Sequence, residues 1–275
     1  VLTNWTTIQK PYFLVFLCAF AYLSSASSPA VPAHKDLSAT ERAILSCARI
    51  SYPADKPVEQ RSFYTTGFLV YDDKTENVYL ISALHCFELC KEETVCLDVA
   101  QIAADTHSKS DGLRIKIRNG EKPLWTRTNP KEDVAYLTLD PETNSSLKKD
   151  ELLSMSELAR KSYNKTVEVH QVLVPCYPLG ATANGTHMPI VRNGTLAIYS
   201  QDCAQDGTLK MQLDYASFLG TSGAPVVEPD SADEQVRVLG VVTTLLVGDK
   251  TAPPTDLHLA DVISVDALAK SLATK

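Results

Sequence analysis

Gly220-Thr221-Ser222-Gly223-Ala224-Pro225 is the stretch on which the reading of this 275-residue chain turns. A serine hydroxyl is a weak nucleophile near neutral pH. A protein that uses one needs a sharp turn to expose it and backbone N–H groups aimed at the oxyanion that forms. Gly220 and Gly223 permit backbone angles closed to other residues, and Pro225 fixes the chain as it leaves the turn. Downstream, Val226-Val227 and then Val238-Leu239-Gly240-Val241-Val242 predict a hairpin that buries the base of the turn. Taken alone, the six residues also fit an ordinary surface turn. The rest of the chain decides between the two readings.

Working outward, short strands dominate. Phe63 to Tyr71 and Val78 to Ala83 are β-rich runs joined by the polar connection 72–77. Leu113, Ile115 and Ile117 alternate with charged residues before Asn119-Gly120, a hairpin signal that recurs at Asn193-Gly194 between 190–192 and 195–199. Val134 to Leu139 and Val167 to Val174 add two strands. Between them, Leu147 to Lys161 carries Leu152, Leu153, Met155 and Leu158 among charged residues, which predicts a connecting helix. It separates two strand-rich halves, about 44–140 and 165–263. Ser264 followed by Val265, Leu268 and Leu272 predicts an amphipathic C-terminal helix over 264–274.

Composition narrows the classes. The chain is 44% hydrophobic with a formal charge of -7 and no Lys/Arg cluster, which leaves no surface for a phosphate backbone, so no nucleic-acid partner is expected. Lys10 precedes the uncharged, mostly apolar run Tyr12 to Leu23 and then Ser24-Ser25-Ala26-Ser27-Ser28. That order describes a secretory signal peptide over 1–28, cut after Ala26 or Ser28. The run of 12 residues is too short to cross a bilayer, so no stable membrane span is expected after cleavage. Residues 29–43 read as a linker or short propeptide. Five of the eight asparagines stand in Asn-x-Ser/Thr sequons, and Asn144, Asn164, Asn184 and Asn193 lie beyond the leader as glycosylation candidates. With Cys18 removed, six cysteines remain: Cys47, Cys86, Cys90, Cys96, Cys176 and Cys203. An even number suits an oxidising, extracellular setting. The pairing taken as the expectation is Cys90 with Cys96, Cys47 with Cys86 and Cys176 with Cys203. No Cys-x-x-Cys or His-x-x-x-His spacing supports a metal site, so neither metal nor organic cofactor is expected.

A nucleophilic Ser222 requires an imidazole base and a carboxylate to orient it. Among six histidines, His85 alone ends a buried-looking strand, Val78 to Leu84; His34, His107, His170, His187 and His258 read as ordinary surface or packed side chains. Asp133 opens the apolar strand Val134-Ala135-Tyr136-Leu137-Thr138-Leu139, where a charge needs a partner, with Glu132 its nearest competitor. Ala83-Leu84-His85-Cys86, Asp133-Val134-Ala135-Tyr136-Leu137 and Gly220 to Pro225 thus occur in the order His, Asp, Ser, at intervals of 48 and 89 residues. Together they resemble the trypsin-like, chymotrypsin-fold serine proteases. Tyr177-Pro178-Leu179-Gly180, the 189–194 stretch and Leu239 to Val242 resemble the compact bacterial, HtrA-like members more than the digestive trypsins.

The resemblance implies an all-β fold over 44–275, with two six-stranded antiparallel barrels and the triad His85, Asp133 and Ser222 in the cleft between them. It implies an endopeptidase acting on polypeptides through an acyl-enzyme, with the amides of Gly220 and Ser222 as oxyanion hole; the leader, sequons and cysteines add the expectation that it is secreted, and a monomer is expected. By similarity, Ala216 sits at the base of the specificity pocket with Thr243, Thr244 and Leu245 along its side, and Thr243 or Thr244 hydrogen-bonds Asp133. Without an acid at Ala216, cleavage after small or medium apolar residues is expected, Asp214 being the residue that could favour a basic one. The sequence departs from the family at Thr221, where zymogen-activated members carry an aspartate that pairs with a new N-terminus. Activity independent of such a terminus is therefore expected. Cys86 lacks its customary partner on the preceding strand. The alternative reading is a non-catalytic homologue used for binding or regulation. A lipase or esterase would want Gly-x-Ser-x-Gly and the order Ser, acid, His, and the chain has neither.

Overall fold

A computed structural model describes residues 37–57, 60–61, 63–100, 112–158, 167–182, 188–199, 210–216, 218–229, 237–247 and 256–273. The leader, Asn164, Asn184 and Cys203 lie outside the described residues. The first strand-rich half contains β1 (Cys47–Tyr52), β2 (Phe63–Asp72), β3 (Asn77–Ala83), β4 (Thr94–Val99), β5 (Leu113–Lys116), β6 (Arg118–Asn119), β7 (Lys122–Pro123), β8 (Thr126–Arg127), β9 (Val134–Thr138) and β10 (Leu153–Ser154). The second contains β11 (Val167–Cys176), β12 (Ile190–Tyr199), β13 (Lys210–Asp214), β14 (Pro225–Glu228), β15 (Arg237–Val247) and β16 (Asp256–Ser264). The second half closes as the expected six-stranded barrel, β11-β12-β13-β16-β15-β14. The first forms a curled sheet in the order β5-β4-β1-β2-β3-β9-β8, with β10 added in parallel to β2, and among the described residues it does not close.

Both faces of the first sheet's centre are covered, which explains why its strands read as continuous apolar runs. Along β3, Tyr79 and Ile81 enter one cluster while Val78 and Leu80 enter another. The same alternation sends Phe68 and Val70 one way and Leu69 the other on β2, and Val134 and Tyr136 one way and Ala135 and Leu137 the other on β9. The Tyr79 side of each strand shares a cluster with Val226, Val241 and Val242 of the second barrel, so the two halves meet on a common core. Tyr79 and Tyr136 meet edge to face with ring centroids 5.8 Å apart. Each such side chain stabilises the fold by about 2 kcal/mol through burial.

Four expectations are corrected here. The segment 147–161 is not a helix in its described part. It is an extended connector with single 3-10 turns at Lys149–Glu151 and Met155–Glu157, around β10. Its leucines are shared between the halves: Leu152 packs into the first sheet, while Leu153, Met155 and Leu158 pack into the common core. Asn193-Gly194 is not a turn; β12 runs through it without interruption. A Cβ on Gly194 would lie 2.8 Å from Leu213 Cδ1 and 3.1 Å from Tyr215 Cβ, so this glycine serves close packing against β13. The segment 29–43 is not wholly a linker, because Ala39–Leu45 is a helix, α1, capped by the reciprocal pair Ser38 and Glu41.

The fourth correction concerns the cysteines. Cys47, Cys86, Cys90, Cys96 and Cys176 are free thiols, all buried, so the Cys47–Cys86 and Cys90–Cys96 bridges are absent and Cys176 is unbridged. Burial replaces pairing: it pushes the Cys96 and Cys176 thiols up to about 12, keeping them protonated and inert. Of the described sequons, Asn193 is exposed. Asn144 instead donates its side-chain nitrogen to the Glu76 carbonyl at 2.9 Å. The C-terminal helix, Asp266–Ala273, agrees with expectation: the Ser264 hydroxyl accepts from Asp266 N at 3.2 Å, and Val265, Leu268 and Leu272 are buried. Among the described residues no helix is long and apolar enough to cross a membrane, and no cluster could hold a metal ion.

Candidate active site

Strand register brings His85 and Asp133 together. β3 and β9 pair antiparallel with Ala83 opposite Val134, so the residues just beyond the ladder, Leu84-His85 and Asp133, flank one another. A short helix, α2 (Leu84–Leu89), starts at this point and has no side-chain cap of its own. Asp133 fills that gap. Its carbonyl accepts from Leu84 N at 3.1 Å, and its Oδ1 accepts from His85 N at 2.9 Å. Oδ2 lies 2.6 Å from His85 Nδ1. The carboxylate therefore fixes backbone and ring together, leaving Nε2 as the nitrogen for chemistry. The His85 pKa is raised from 6.5 to about 10, first by that carboxylate hydrogen bond and next by the Cys86 sulfur, with burial acting in the opposite direction. Glu132 faces elsewhere and accepts from Thr128 Oγ1 at 3.1 Å.

The serine turn is held from both halves. In the second, Gly223 N donates to Val242 O at 2.7 Å and Val242 N to Ala224 O at 2.9 Å. In the first, Thr66 N and Thr65 Oγ1 donate to the Ser222 carbonyl at 3.1 and 2.8 Å, and Thr66 Oγ1 donates to the Gly220 carbonyl at 2.7 Å. Sequence reasoning missed Thr65 and Thr66. Their signal is faint, two adjacent threonines before Gly67 on a strand otherwise written in apolar residues. Thr65 Oγ1 also lies 2.9 Å from Cys86 Sγ, so the buried thiol faces a hydroxyl. Thr221 is fully buried; its hydroxyl donates to Phe218 O at 2.8 Å and accepts from Tyr215 OH at 3.0 Å, satisfying the turn from within.

Gly220 (φ 91°) and Gly223 (φ 86°) both stand in the left-handed region, as the turn requires. A Cβ on Gly223 would lie 2.0 Å from the Thr66 carbonyl and 2.2 Å from Ser82 Oγ. Gly223→Ala is therefore expected to destabilise the fold by about 3 kcal/mol or more, the left-handed penalty adding to the clash. Urea unfolding measures it, and a change under about 1 kcal/mol would show that the turn is not built as described.

The Ser222 hydroxyl donates to the Thr243 carbonyl at 3.3 Å. It shares with His85 the wall of a cavity of about 420 Å³, lined also by Tyr64, Thr65, Cys86, Leu89, Leu179, Leu219 and Gly220. The amides of Gly220 and Ser222 donate to no other described residue. Of the other expected pocket residues, Ala216, Thr243 and Thr244 are not among the described residues that line this cavity. Thr243 is buried and donates its hydroxyl to Asp261 O at 3.3 Å rather than to Asp133, and Thr244 is exposed. Ala216 is half-buried, and Leu245 belongs to β15 with its side chain outside the described residues.

The closed barrel and the curled sheet make this the trypsin-like fold in its compact form; where they meet, Asp133 holds His85, and His85 and Ser222 line one cavity. Two solved structures agree on the fold. The chain is similar to the HtrA-type protease AlgW with a tripeptide (16% identity, TM-score 0.52, covering 88% of this chain and 63% of that one) and to AlgW with a decapeptide (17%, 0.50, 88% and 68%). The active form of the Rv3671c protease from M. tuberculosis aligns over 86% of this chain and 82% of its own, at 14% identity and a TM-score of 0.49. The chain thus spans less than two thirds of AlgW with the tripeptide. No protein-family model matches the sequence, and no curated protein matches it.

Proposed function

We propose that this chain is a serine endopeptidase in which Ser222 attacks a peptide carbonyl, His85 takes its proton and returns it to the leaving amine, and Asp133 orients the imidazole. The amides of Gly220 and Ser222 receive the oxyanion. One observation carries the proposal: an imidazole held at two points by one carboxylate shares a cavity wall with a serine on a turn of two left-handed glycines. In this reading the Ser222 hydroxyl leaves the Thr243 carbonyl for His85 when substrate binds; such contacts commonly tighten only with substrate bound. The satisfied Thr221 supports activity without insertion of a new N-terminus.

The substrate is an extended polypeptide, as the peptides held by AlgW suggest for the fold. A small or medium apolar residue precedes the scissile bond. Among the described residues the cavity beside His85 is lined by none of Ala216, Thr243 or Thr244, so we assign it to the other side, after the bond. Its leucines Leu89, Leu179 and Leu219 are 57%, 66% and 72% exposed, and covering one of them stabilises a complex by up to about 2 kcal/mol. An internally quenched peptide library therefore returns apolar residues on both sides of the cleaved bond; a profile dominated by Lys or Arg would overturn this substrate assignment.

A fluorophosphonate tests the catalytic reading against the non-catalytic homologue. Labelling of Ser222 that disappears in His85→Ala supports the enzyme, and a folded, unlabelled chain supports the homologue. Export as a monomeric glycoprotein through the leader 1–28 belongs to the same proposal, supported by the sequence and by the exposed Asn193; N-terminal sequencing of protein recovered from the medium would begin after Ala26 or Ser28.

A further inference from the structure

A buried ion pair in the first sheet reaches across to the loop that rests on the nucleophile turn. Arg49 on β1 stands in register with Asp98 on β4 and with Thr66 on β2. Its Nε and Nη2 donate to Asp98 Oδ2 at 2.9 and 2.8 Å, and both side chains are almost wholly buried. A charge taken so far out of water is costly unless all its donors are used. The remaining direction is used outside the pair: Nη1 donates to the Gly180 carbonyl, in the second half, at 2.8 Å.

Gly180 belongs to the loop 177–180, which rests on the nucleophile turn. The Gly180 φ is 73°, and a Cβ there would meet the Tyr64 ring at 2.5 Å, a ring over which the Arg49 guanidinium also lies at 5.4 Å. The preceding residue, Leu179, has a φ of 53°, a conformation that a branched side chain adopts only under constraint. In that conformation Leu179 N donates to the Leu219 carbonyl at 2.6 Å. A trans peptide carries its N–H antiparallel to its carbonyl within one plane, so holding Leu219 O towards Leu179 points the Gly220 N–H the opposite way. The contact is tight: a Cβ on Gly220 would lie 2.7 Å from Tyr177 O and 3.0 Å from Leu179 N.

We infer that Arg49 is a positioning residue for the oxyanion hole: it ties the Gly180 carbonyl to the first sheet, which keeps Leu179 strained, the Leu219 carbonyl engaged and the Gly220 amide aimed. The inference rests on the peptidase reading only for its effect on rate. The chain of bonds itself can be tested without turnover.

Arg49→Lys is the variant of choice, because a cation remains beside Asp98 while one ammonium cannot serve both Asp98 and Gly180. Arg49→Gln is the second, since Arg61 Nη1 still lies 3.8 Å from Asp98 Oδ1. In amide hydrogen exchange of the full chain, the Leu179 amide is expected to exchange at least about tenfold faster in either variant, with Leu80 and Ile81 unchanged. Unchanged protection at Leu179 overturns the inference. On a peptide oxoester, kcat falls by about 10²-fold with KM unchanged, the scale of losing one oxyanion donor. On the matching thionoester, whose sulfur makes little use of those donors, the rate stays near wild type. An equal loss on both esters shows a merely structural role and overturns the inference. If the wild-type chain turns over neither ester, the peptidase reading fails instead, and the exchange measurement decides the role of Arg49 by itself.

Discussion

Ser222→Ala is expected to lower kcat on a peptide substrate by on the order of 10⁶-fold while leaving a folded chain. The hydroxyl makes a single 3.3 Å bond, to Thr243 O, so its removal costs about 1 kcal/mol or less of stability. What anchors the turn is the Ser222 carbonyl, held by Thr65 and Thr66, and alanine retains it. Activity and stability thus separate at this position. Single-turnover kinetics read the first and thermal unfolding the second. A rate loss of about tenfold or less would show that another group attacks.

Asp133→Asn is expected to reduce kcat by about 10⁴-fold and to displace the pH profile as well. The carboxylate is the largest cause of the raised His85 pKa, so the rising limb of kcat/KM lies above pH 6.5 in the wild-type chain, where His85 must first lose its proton. Removing the negative charge lets that proton leave more easily, so the limb moves to lower pH even as the plateau drops. A neutral amide can also present N–H to Nδ1, which favours the wrong tautomer. Asp133 Oδ1 also accepts from His85 N, so the substitution loosens the start of α2. A pH–rate profile checks the shift. A limb that stays in place in Asp133→Asn would remove Asp133 from the mechanism.

The parts of this site legible in the sequence are those that depend on neighbours along the chain. Gly220, Ser222 and Gly223 announce a left-handed turn, and the strand before His85 and the strand after Asp133 announce two buried ladders whose ends meet. What the sequence hid depends on partners far away. Nothing beside Arg49 in the chain marks it as buried, and only the register with Asp98 reveals it as such. Leu152, Leu153, Met155 and Leu158 mimic a helical stripe because they are divided between two packing faces, a division set by tertiary contact and not by local period. Gly194 sits in an Asn-Gly pair that would turn a free hairpin, yet the approach of Leu213 and Tyr215 keeps it in a straight strand. The disulfide expectation failed because cysteine number speaks to compartment while burial decides state. Conversely, Ser38 and Glu41 did spell out a capping box, and α1 could have been read directly.

The five described cysteines carry one more consequence. Since the described fold closes around these five as sulfhydryls, none of them calls for an oxidant or an isomerase, and glutathione is expected to leave the topology they sit in untouched. A reducing bacterial cytosol is therefore expected to leave these five thiols as the fold holds them, a state that thiol alkylation of the purified chain under denaturing conditions would report.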